Sequence, residues 1–454
     1  MSNPENTISP LDGRYAQDVA GLRNYFSEMA LMKYRVRIEV EYLIALSREK
    51  QVIELPPVSA EDQKKLRSFY QDFSNQDFQA IKRIEEKTKH DVKAVEYFLR
   101  RKSTRIGLKS YSEWIHFALT SEDVNNLAYA LMWRDALKQV YLPLLTTVHN
   151  RLKRFSKRYR DLAMLSLTHG QPATPTSLGK EFAVFANRLN RQLEQLKQHK
   201  LQGKLAGATG TWSAHVVAFP QVNWINFSKR FVASLKLEPN LITTQVEDHD
   251  SLAESYNILI RINSILLDFC RDVWLYISRG IFGQRIKAGE VGSSTMPHKV
   301  NPIYFENAEG NLGIGNTLLS HLAQTLPISR MQRDLSGSTV IRNQGVPLAH
   351  SLLACKNILK GLDRLTVNKT KLREELNDHW EVLAEAVQTV LRKIGDSESY
   401  EKLEELTRGK KISKENIYAF IEELALPKQD KQALLALTPE TYIGLADKIV
   451  EELN

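Results

Sequence analysis

The segment DHDSLAESYNILIRINSILLDFCRDVWLYISRGI, residues 248–281, decides the fold. Its apolar side chains recur every three or four residues, which is the spacing of one face of an α-helix. Neither glycine nor proline interrupts the segment before Gly280. It therefore predicts one long helix, of the kind that packs into helical bundles.

The rest of the chain follows the same pattern. Glycine (21) and proline (15) make up about 8% of the 454 residues, against roughly 12% in an average protein. Strand signals are scarce outside VVAF (216–219) and LITTQV (241–246). We therefore predict an all-α protein with a large central helical bundle. Helical periodicity marks residues 18–50, 60–72, 78–102, 112–157, 177–202, 248–281, 303–325, 339–361, 370–394, 399–407, 413–424 and 438–453.

Two changes of pattern divide the chain into three predicted helical domains. The polar, basic stretch RRKSTRIGLKS (100–110) ends an N-terminal domain, residues 1–111. From Thr366 the helices become shorter and amphipathic, which separates a C-terminal domain, 366–454, from the central bundle, 112–365.

The net charge limits the kinds of partner that the protein is expected to bind. The formal net charge of +9 suits anionic partners, without choosing among nucleic acid, phosphorylated metabolites and carboxylates. Nucleic-acid binding would require cations grouped on one face with stacking aromatics. The cations are instead dispersed, and the one basic run, RLKRFSKRYR (151–160), fits the solvated end of a helix. We therefore expect no nucleic-acid partner.

The cellular compartment is predicted from cysteine use and from hydropathy. Cys270 and Cys355 lie in apolar helical patterns, where a free cysteine packs as a small hydrophobic residue. Two cysteines in this length form no disulfide framework, so a reducing, cytoplasmic setting fits. No signal peptide is apparent, and no apolar run is long enough to span a membrane.

The sequence does not match the common motifs that bind a nucleotide cofactor or a metal. GQPATPTSLGKE (170–181) has the wrong glycine spacing for a phosphate loop, and GNLGIGN (310–316) lacks a third glycine. No zinc-binding spacing of histidine or cysteine occurs. The acidic stretch EDHD (247–250) is better explained as a helix N-terminus than as a cation site. We therefore expect no phosphate loop, no zinc site and no metal at the acidic stretch.

Four segments carry residues suited to chemistry. GEVGSSTMPHKVNP (289–302) concentrates glycine, proline, serine and lysine between long helices, and it is longer than a helix connection needs. THGQPATP (168–175) presents His169 in a loop between helices, where it could act as a general acid or base.

The other two segments have plainer alternatives. IHFALTSEDVNN (115–126) places Thr120 and Ser121 before two acidic residues, a pattern that helix capping explains in full. RDLSGSTVIRN (333–343) flanks hydroxyl side chains with two arginines, which suits capture of a carboxylate or phosphate. A solvated charged loop is the alternative.

Taken together, the motifs resemble the adenylosuccinate lyase family of the aspartase/fumarase superfamily. GSSTMPHKVNP is similar to the superfamily's serine loop, and the full set is similar to the narrower family. The other segments are DGRY (12–15), KHDVKAVEYF (89–98), HFALTSEDVNN (116–126), LTHGQPATP (167–175), TTQVEDHD (243–250), RDLSGSTVIRN (333–343) and YEKLEELTRGK (400–410).

The resemblance implies elimination of fumarate from two substrates: adenylosuccinate, giving AMP, and SAICAR, the succinyl-carboxamide intermediate of purine synthesis, giving AICAR. It implies no cofactor. It also implies three helical domains, a twenty-helix core in a homotetramer, and active sites built from three subunits.

The resemblance also implies residue roles. Ser293 corresponds to the catalytic base and His169 to the acid. Lys89 stands where the relatives have a small polar residue, and its side chain either contacts phosphate or points to solvent. His116 matches a histidine of the family, and whether it contacts the substrate is equally undecided. The implied substrate-binding residues are Arg14, Tyr15, His90, Asp91, Thr120, Ser121, Gln245, Lys299, Asn301, Arg333, Ser338 and Arg342.

Two other interpretations remain at this stage. Another fumarate-releasing lyase would not need the nucleotide-side residues, DGRY and the paired arginines. A catalytically silent scaffold would not need Ser293, His169 and Lys299, which are all present.

Overall fold

The computed structural model describes residues 6–287, 289, 295–296, 298–396, 401, 403–404, 408 and 412–453. Helices dominate these residues, which confirms the all-α prediction. None of the helices in these ranges is long and apolar enough to cross a bilayer. The α-helices are α1 (Arg23–Phe26), α2 (Glu28–Leu46), α3 (Ala60–Gln71), α4 (Asn75–Thr88), α5 (Asp91–Arg105), α6 (Ser121–Ala136), α7 (Leu142–Arg158), α8 (Leu178–Gln198), α9 (Ser213–Ala218), α10 (Trp224–Ser234), α11 (Asp250–Ser278), α12 (Ile303–Thr325), α13 (Ser336–Ile341), α14 (Gly345–Arg364), α15 (Lys369–Asn377), α16 (Ala384–Lys393), α17 (Lys414–Glu423), α18 (Lys428–Leu435) and α19 (Ala446–Glu451).

The strands form three short two-stranded sheets among the described residues. The pairs are β1 (Ala163–Thr168) antiparallel to β2 (Gln171–Ser177), β3 (Gln202–Gly203) parallel to β4 (Glu238–Pro239), and β5 (Phe282–Gln284) antiparallel to β6 (Leu365–Val367).

Both predicted strand signals are wrong. Residues 216–218 belong to the short helix α9, and 241–246 form no strand. The β1–β2 hairpin was missed because β2, QPATPTS, contains two prolines. Proline lacks an amide donor, but a two-stranded sheet has only edge strands, where this is tolerated.

Several predicted helices are interrupted. The periodicity over 78–102 covers two helices, because Lys89 ends α4 with a left-handed backbone (φ 54°) and His90 caps α5. A π-helical turn, Leu137–Tyr141, separates α6 from α7. The predicted helix 399–407 lies largely outside the described residues.

Contacts divide the chain into two compact units of interleaved segments. Unit 1 comprises residues 1–145, 193–264 and 310–356, and unit 2 comprises 146–192, 265–309 and 357–454. The three-domain division stays a prediction.

Aromatic pairs pack in the largely aliphatic core of each unit. In unit 1, Trp133 lies edge-on to Tyr256, with ring centroids 4.8 Å apart, and its indole N–H donates to the Ser255 hydroxyl at 2.8 Å. In unit 2, Phe155 stacks on Phe182 at 3.9 Å. These pairs join the long helices that the periodicity predicted.

Candidate active site

The beginning of α6 is fixed by a capping box. The Asp123 carboxylate accepts the Thr120 backbone N–H at 2.9 Å, and the reciprocal contact of a capping box is also present. The predicted helix cap is therefore correct. Because α6 begins at Ser121, Thr120 and Ser121 lie at a helix N-terminus, where free amides and the helix dipole favour an anion.

Behind this N-terminus lies a fully buried ion pair between Lys204 and Asp123, whose side chains are 0% exposed. The Lys204 ammonium lies 2.9 Å from Asp123 Oδ1 and also donates to the Gly207 and Gln245 carbonyls, at 2.7 and 2.8 Å. Asp123 Oδ1 accepts a further hydrogen bond from the Ala206 amide at 2.9 Å. This pair ties α6 to the two loops that contain residues 205–208 and Gln245.

Arg333 joins two other predicted binding residues, Gln245 and Ser338. Gln245 Oε1 accepts from Arg333 at 2.8 Å, and Gln245 Nε2 donates to the Ala208 carbonyl at 2.9 Å. Arg333 in turn lies 3.0 Å from Glu122 of α6 and 3.5 Å from the Ser338 hydroxyl. Gln245, Arg333 and Ser338 thus lie together beside the start of α6.

Asp91, the first residue of α5, lies between two arginines. Its Oδ2 is 2.8 Å from Arg35 and 2.9 Å from Arg342. Burial opposes its ionisation, but the two guanidinium groups outweigh burial and lower the pKa of Asp91 to about 2. Arg35, which is 1% exposed, also donates to Asn125 of α6 at 2.9 Å, so this group too is fastened to α6.

His116 binds the buried carboxylate of Glu39. Its Nδ1 lies 2.6 Å from Glu39 Oε1, and its amide donates to Oε2 at 3.1 Å. Burial by itself lowers the pKa of His116, but the Glu39 carboxylate reverses this and the net shift is upward. A left-handed backbone (φ 61°) accompanies these contacts. Whether His116 contacts a substrate stays open.

Lys89 and His90 lie between α4 and α5, and Arg14 and Tyr15 lie in the turns that precede the first helix. His90 caps α5, because its Nδ1 accepts the Lys93 amide at 3.1 Å. Lys89 is exposed. The Arg14 guanidinium lies 5.9 Å from the ring centroid of its neighbour Tyr15. Substrate roles for His90, Arg14 and Tyr15 remain predictions.

In unit 2, His169 lies at the tip of the β1–β2 hairpin and not, as predicted, in a loop between helices. Thr168 pairs with Gln171, so His169 and Gly170 form a two-residue turn with φ of 55° and 76°. The His169 side chain is exposed. The short hairpin fixes the backbone at His169, and the role of this residue as an acid stays a prediction.

The serine loop is only partly described. Ser293 and Ser294 lie outside the described residues. Lys299 is exposed, and its amide donates to the Met296 carbonyl at 3.0 Å. Asn301 is half-buried just before α12. The predicted roles of Ser293, Lys299 and Asn301 therefore stay predictions.

The acidic stretch 247–250 makes contacts within the protein. Asn240 donates to Glu247 and Asp248 at 3.0 and 2.8 Å, and Asp250 begins α11. Burial raises the pKa of Glu247 to about 7. Among the described residues, no group of three or more histidine, cysteine and acidic side chains could hold a metal ion.

Sequence reasoning missed several residues that support this site. Lys204, Asp123, Glu122 and Arg35 are charged and buried, although charged side chains are usually exposed. A weak signal existed, because a lysine in the otherwise small and apolar stretch GKLAGA (203–208) is unusual.

Comparisons with known proteins define the class of protein to which this chain belongs. Residues 13–314 match the model of the family described as Lyase, and 329–443 match the model described as Adenylosuccinate lyase C-terminal. The fold resembles the crystal structure of 3-carboxy-cis,cis-muconate lactonizing enzyme from Pseudomonas putida, with a TM-score of 0.74, 22% identity and 96% of each chain covered. The chain is thus a lyase by sequence family, and the structural match agrees with the fold.

Relatives that match nearly the whole chain identify the family of lyases to which it belongs. The chain is 50% identical to the adenylosuccinate lyase of Escherichia coli (strain K12) over 448 residues, 98% of each chain. It is 49% identical to the adenylosuccinate lyase of Legionella pneumophila (strain Corby), with 99% of each chain covered. It belongs to the adenylosuccinate lyase family, which confirms the resemblance found in the motifs.

Proposed function

We propose that this protein eliminates fumarate from adenylosuccinate, giving AMP, and from SAICAR, giving AICAR. The observation that carries the proposal is the grouping of Gln245, Arg333 and Ser338 beside the N-terminus of α6. Two arginines of unit 1, Arg333 and Arg342, each pair with one carboxylate and retain further N–H donors for a phosphorylated substrate with carboxylates. Another fumarate-releasing lyase of the superfamily, without a nucleotide substrate, would not need them.

The elimination requires two proton transfers. A base, Ser293, takes the proton from the carbon next to a succinyl carboxylate, which leaves a carbanion-like intermediate whose charge this carboxylate shares. The electron pair then forms the double bond of fumarate as the carbon–nitrogen bond breaks. His169 gives a proton to the departing nitrogen. Lys299 and Asn301 stabilise the negative charge on the carboxylate in the intermediate.

The assembly belongs to the same proposal. We expect a homotetramer whose long helices form a twenty-helix core, with each active site drawing residues from three subunits. Exposed apolar residues on α11 and α12, including Trp274, Leu275 and Ile314, support association through these helices. We also propose a cytoplasmic location, no cofactor and no nucleic-acid partner.

Ultraviolet absorbance of purified protein mixed with adenylosuccinate tests the activity. The wild type is expected to form AMP and fumarate. Ser293→Ala should lower kcat about a thousandfold while substrate binding persists, and the matched Ser294→Ala should retain most of the activity. If Ser294→Ala is the inactive variant, the two serines exchange roles. No conversion by a folded, tetrameric wild type contradicts the proposal.

The role of His169 needs a variant that keeps the hairpin turn. Asparagine tolerates a left-handed backbone better than alanine does. His169→Asn and His169→Ala should therefore lose kcat to the same extent, while only His169→Ala destabilises the fold. An active His169→Asn variant would show that the turn matters and the imidazole does not.

A further inference from the structure

Unit 1 contains a large cavity that lies apart from the residues assigned to the active site. We name it the α2 cavity; it is lined by residues of α2, by the π-helical turn Leu137–Tyr141 and by residues 196–201 and 234–236. Its volume is about 1160 Å³, enough for a ligand of nucleotide size. Lys138 lies eighteen residues beyond Thr120, past the end of α6, which is roughly 27 Å at the rise of an α-helix.

The charged side chains that line the α2 cavity are nearly all positive. Eight lysine and arginine residues line the α2 cavity, against a single carboxylate, Asp135. That carboxylate is already shared, because it accepts from Tyr34 at 3.0 Å and from Arg134 at 2.6 Å and lies 3.6 Å from Arg37. It cannot neutralise the remaining cations.

Three lysines of the lining lack a carboxylate partner. Lys197 and Lys200 pair with Glu194 and Glu238, which lie outside the lining. Lys33, Lys138 and Lys236, in contrast, form no ion pair with any carboxylate of the described chain. Lys33 is half-buried, and a partly desolvated ammonium without a counter-ion is costly unless an anion binds.

The backbone around the cavity is also unusual. The π-helical turn at Leu137–Tyr141 lines one wall, and such turns concentrate at functional sites. Lys236 adopts a left-handed backbone (φ 61°), which is uncommon for lysine. Tyr25 and Phe73 add aromatic surface to the same lining, which suits a planar base.

We propose that the α2 cavity is a second binding site, for a phosphate-bearing anion of nucleotide size, held by Lys33, Lys138 and Lys236. The positive lining attracts the phosphates, and the aromatic side chains contact the base. This site is separate from the catalytic one, since none of the substrate-binding residues assigned above lines it. It does not depend on the lyase activity.

Isothermal titration calorimetry of the full-length protein with inorganic tripolyphosphate tests the site. In addition to any binding at the active site, the wild type should bind one tripolyphosphate per chain. Lys33→Glu/Lys138→Glu should weaken this binding about tenfold or more for each reversed charge. The matched control is Lys64→Glu/Lys229→Glu, two exposed lysines outside the cavity, which changes the net charge equally and should leave binding intact.

Two results would overturn the site: no second binding event in the wild type, or equal weakening in both double variants. If Lys33→Glu/Lys138→Glu fails to fold, Lys33→Gln/Lys138→Gln removes the charges without reversing them and gives the same comparison. Binding of tripolyphosphate at the active site is measured separately, as inhibition of adenylosuccinate turnover. The inhibition constant of tripolyphosphate should be equal in the wild type and in all variants. ATP should bind the α2 cavity more tightly than tripolyphosphate; equal affinity contradicts the aromatic contact.

Discussion

Lys204 and Asp123 form an ion pair with both side chains fully buried, 2.9 Å apart, directly behind the N-terminus of α6. Water reaches neither charge, so their solvation is replaced by the partner and by backbone groups. Lys204 donates to two carbonyls, and Asp123 accepts from three amides, those of Thr120, Ala206 and Gly207. Through the Gln245 carbonyl, the pair holds a predicted substrate-binding residue.

Removing one member of this pair should be costly. Lys204→Met leaves the Asp123 charge buried with amide donors only, which should lower the free energy of unfolding by about 3–5 kcal/mol. Because Gln245 loses its support, KM for adenylosuccinate should also rise. Urea unfolding and steady-state kinetics measure the two effects.

The exposed Lys64→Met serves as the control, with an expected change within about 0.5 kcal/mol. A Lys204→Met protein of lower stability but unchanged KM would show that the pair supports the fold alone.

Protonation of His215 should destabilise the folded state. His215 is fully buried beside the Tyr42 hydroxyl, and its Nδ1 has no hydrogen-bond partner among the described residues. Burial lowers the pKa of His215 to about 4, from an ordinary value of 6.5. A lowered folded-state pKa means that the stability is complete above pH 6.5 and is lost as pH falls towards 4.

The loss should approach about 3 kcal/mol for this one group. His215→Gln cannot titrate, so its unfolding free energy should fall less between pH 6.5 and 4 than that of the wild type. His321→Gln, at an exposed histidine of α12, should keep the wild-type pH dependence. Parallel wild-type and His215→Gln curves would contradict this assignment.

Asp91 should stabilise the fold in its charged form. Burial opposes ionisation, but Arg35 and Arg342 bring the pKa of Asp91 down to about 2. Its contribution is therefore present above pH 4, the ordinary range of a carboxyl, and is lost as pH falls through 2. After allowance for partial exposure, we expect about 1–2 kcal/mol at neutral pH.

Asp91→Asn should remove this contribution at pH 7 and flatten acid unfolding between pH 4 and 2. Asp161→Asn, at an exposed carboxylate beside Arg160, should change little. Circular dichroism follows the acid unfolding of both variants. Equal effects of Asp91→Asn and Asp161→Asn would refute the stabilising contact between Asp91 and the buried Arg35.

Gly179 should tolerate no side chain. A Cβ atom there would lie 2.4 Å from the Ser156 carbonyl oxygen and 2.5 Å from Arg160 Cα, both of them backbone atoms. Gly179→Ala should therefore lower the free energy of unfolding by about 3 kcal/mol, because α7 and α8 must separate. Gly21→Ala meets only Val140 at an ordinary 3.6 Å and should unfold at nearly the wild-type Tm. A Gly179→Ala variant as stable as the wild type would show that the helix ends adjust freely.

The sequence by itself determined the helical architecture and the family. Apolar periodicity is local, so it predicted helices such as 303–325 with the bounds that the structure has. The same locality explains the successful prediction of the cap at Thr120, since a capping box involves only neighbouring residues. The motifs carried the resemblance because each is a short, continuous stretch.

Only the tertiary structure decided which charges are buried and what they bind. Lys204, Asp123 and Arg35 look like ordinary solvated residues in the sequence, and their burial depends on contacts with distant segments. The left-handed backbone at Lys89 and the proline-containing hairpin that presents His169 escaped prediction for a related reason. Their conformations oppose local propensity, and the surrounding fold supplies the free energy that maintains them.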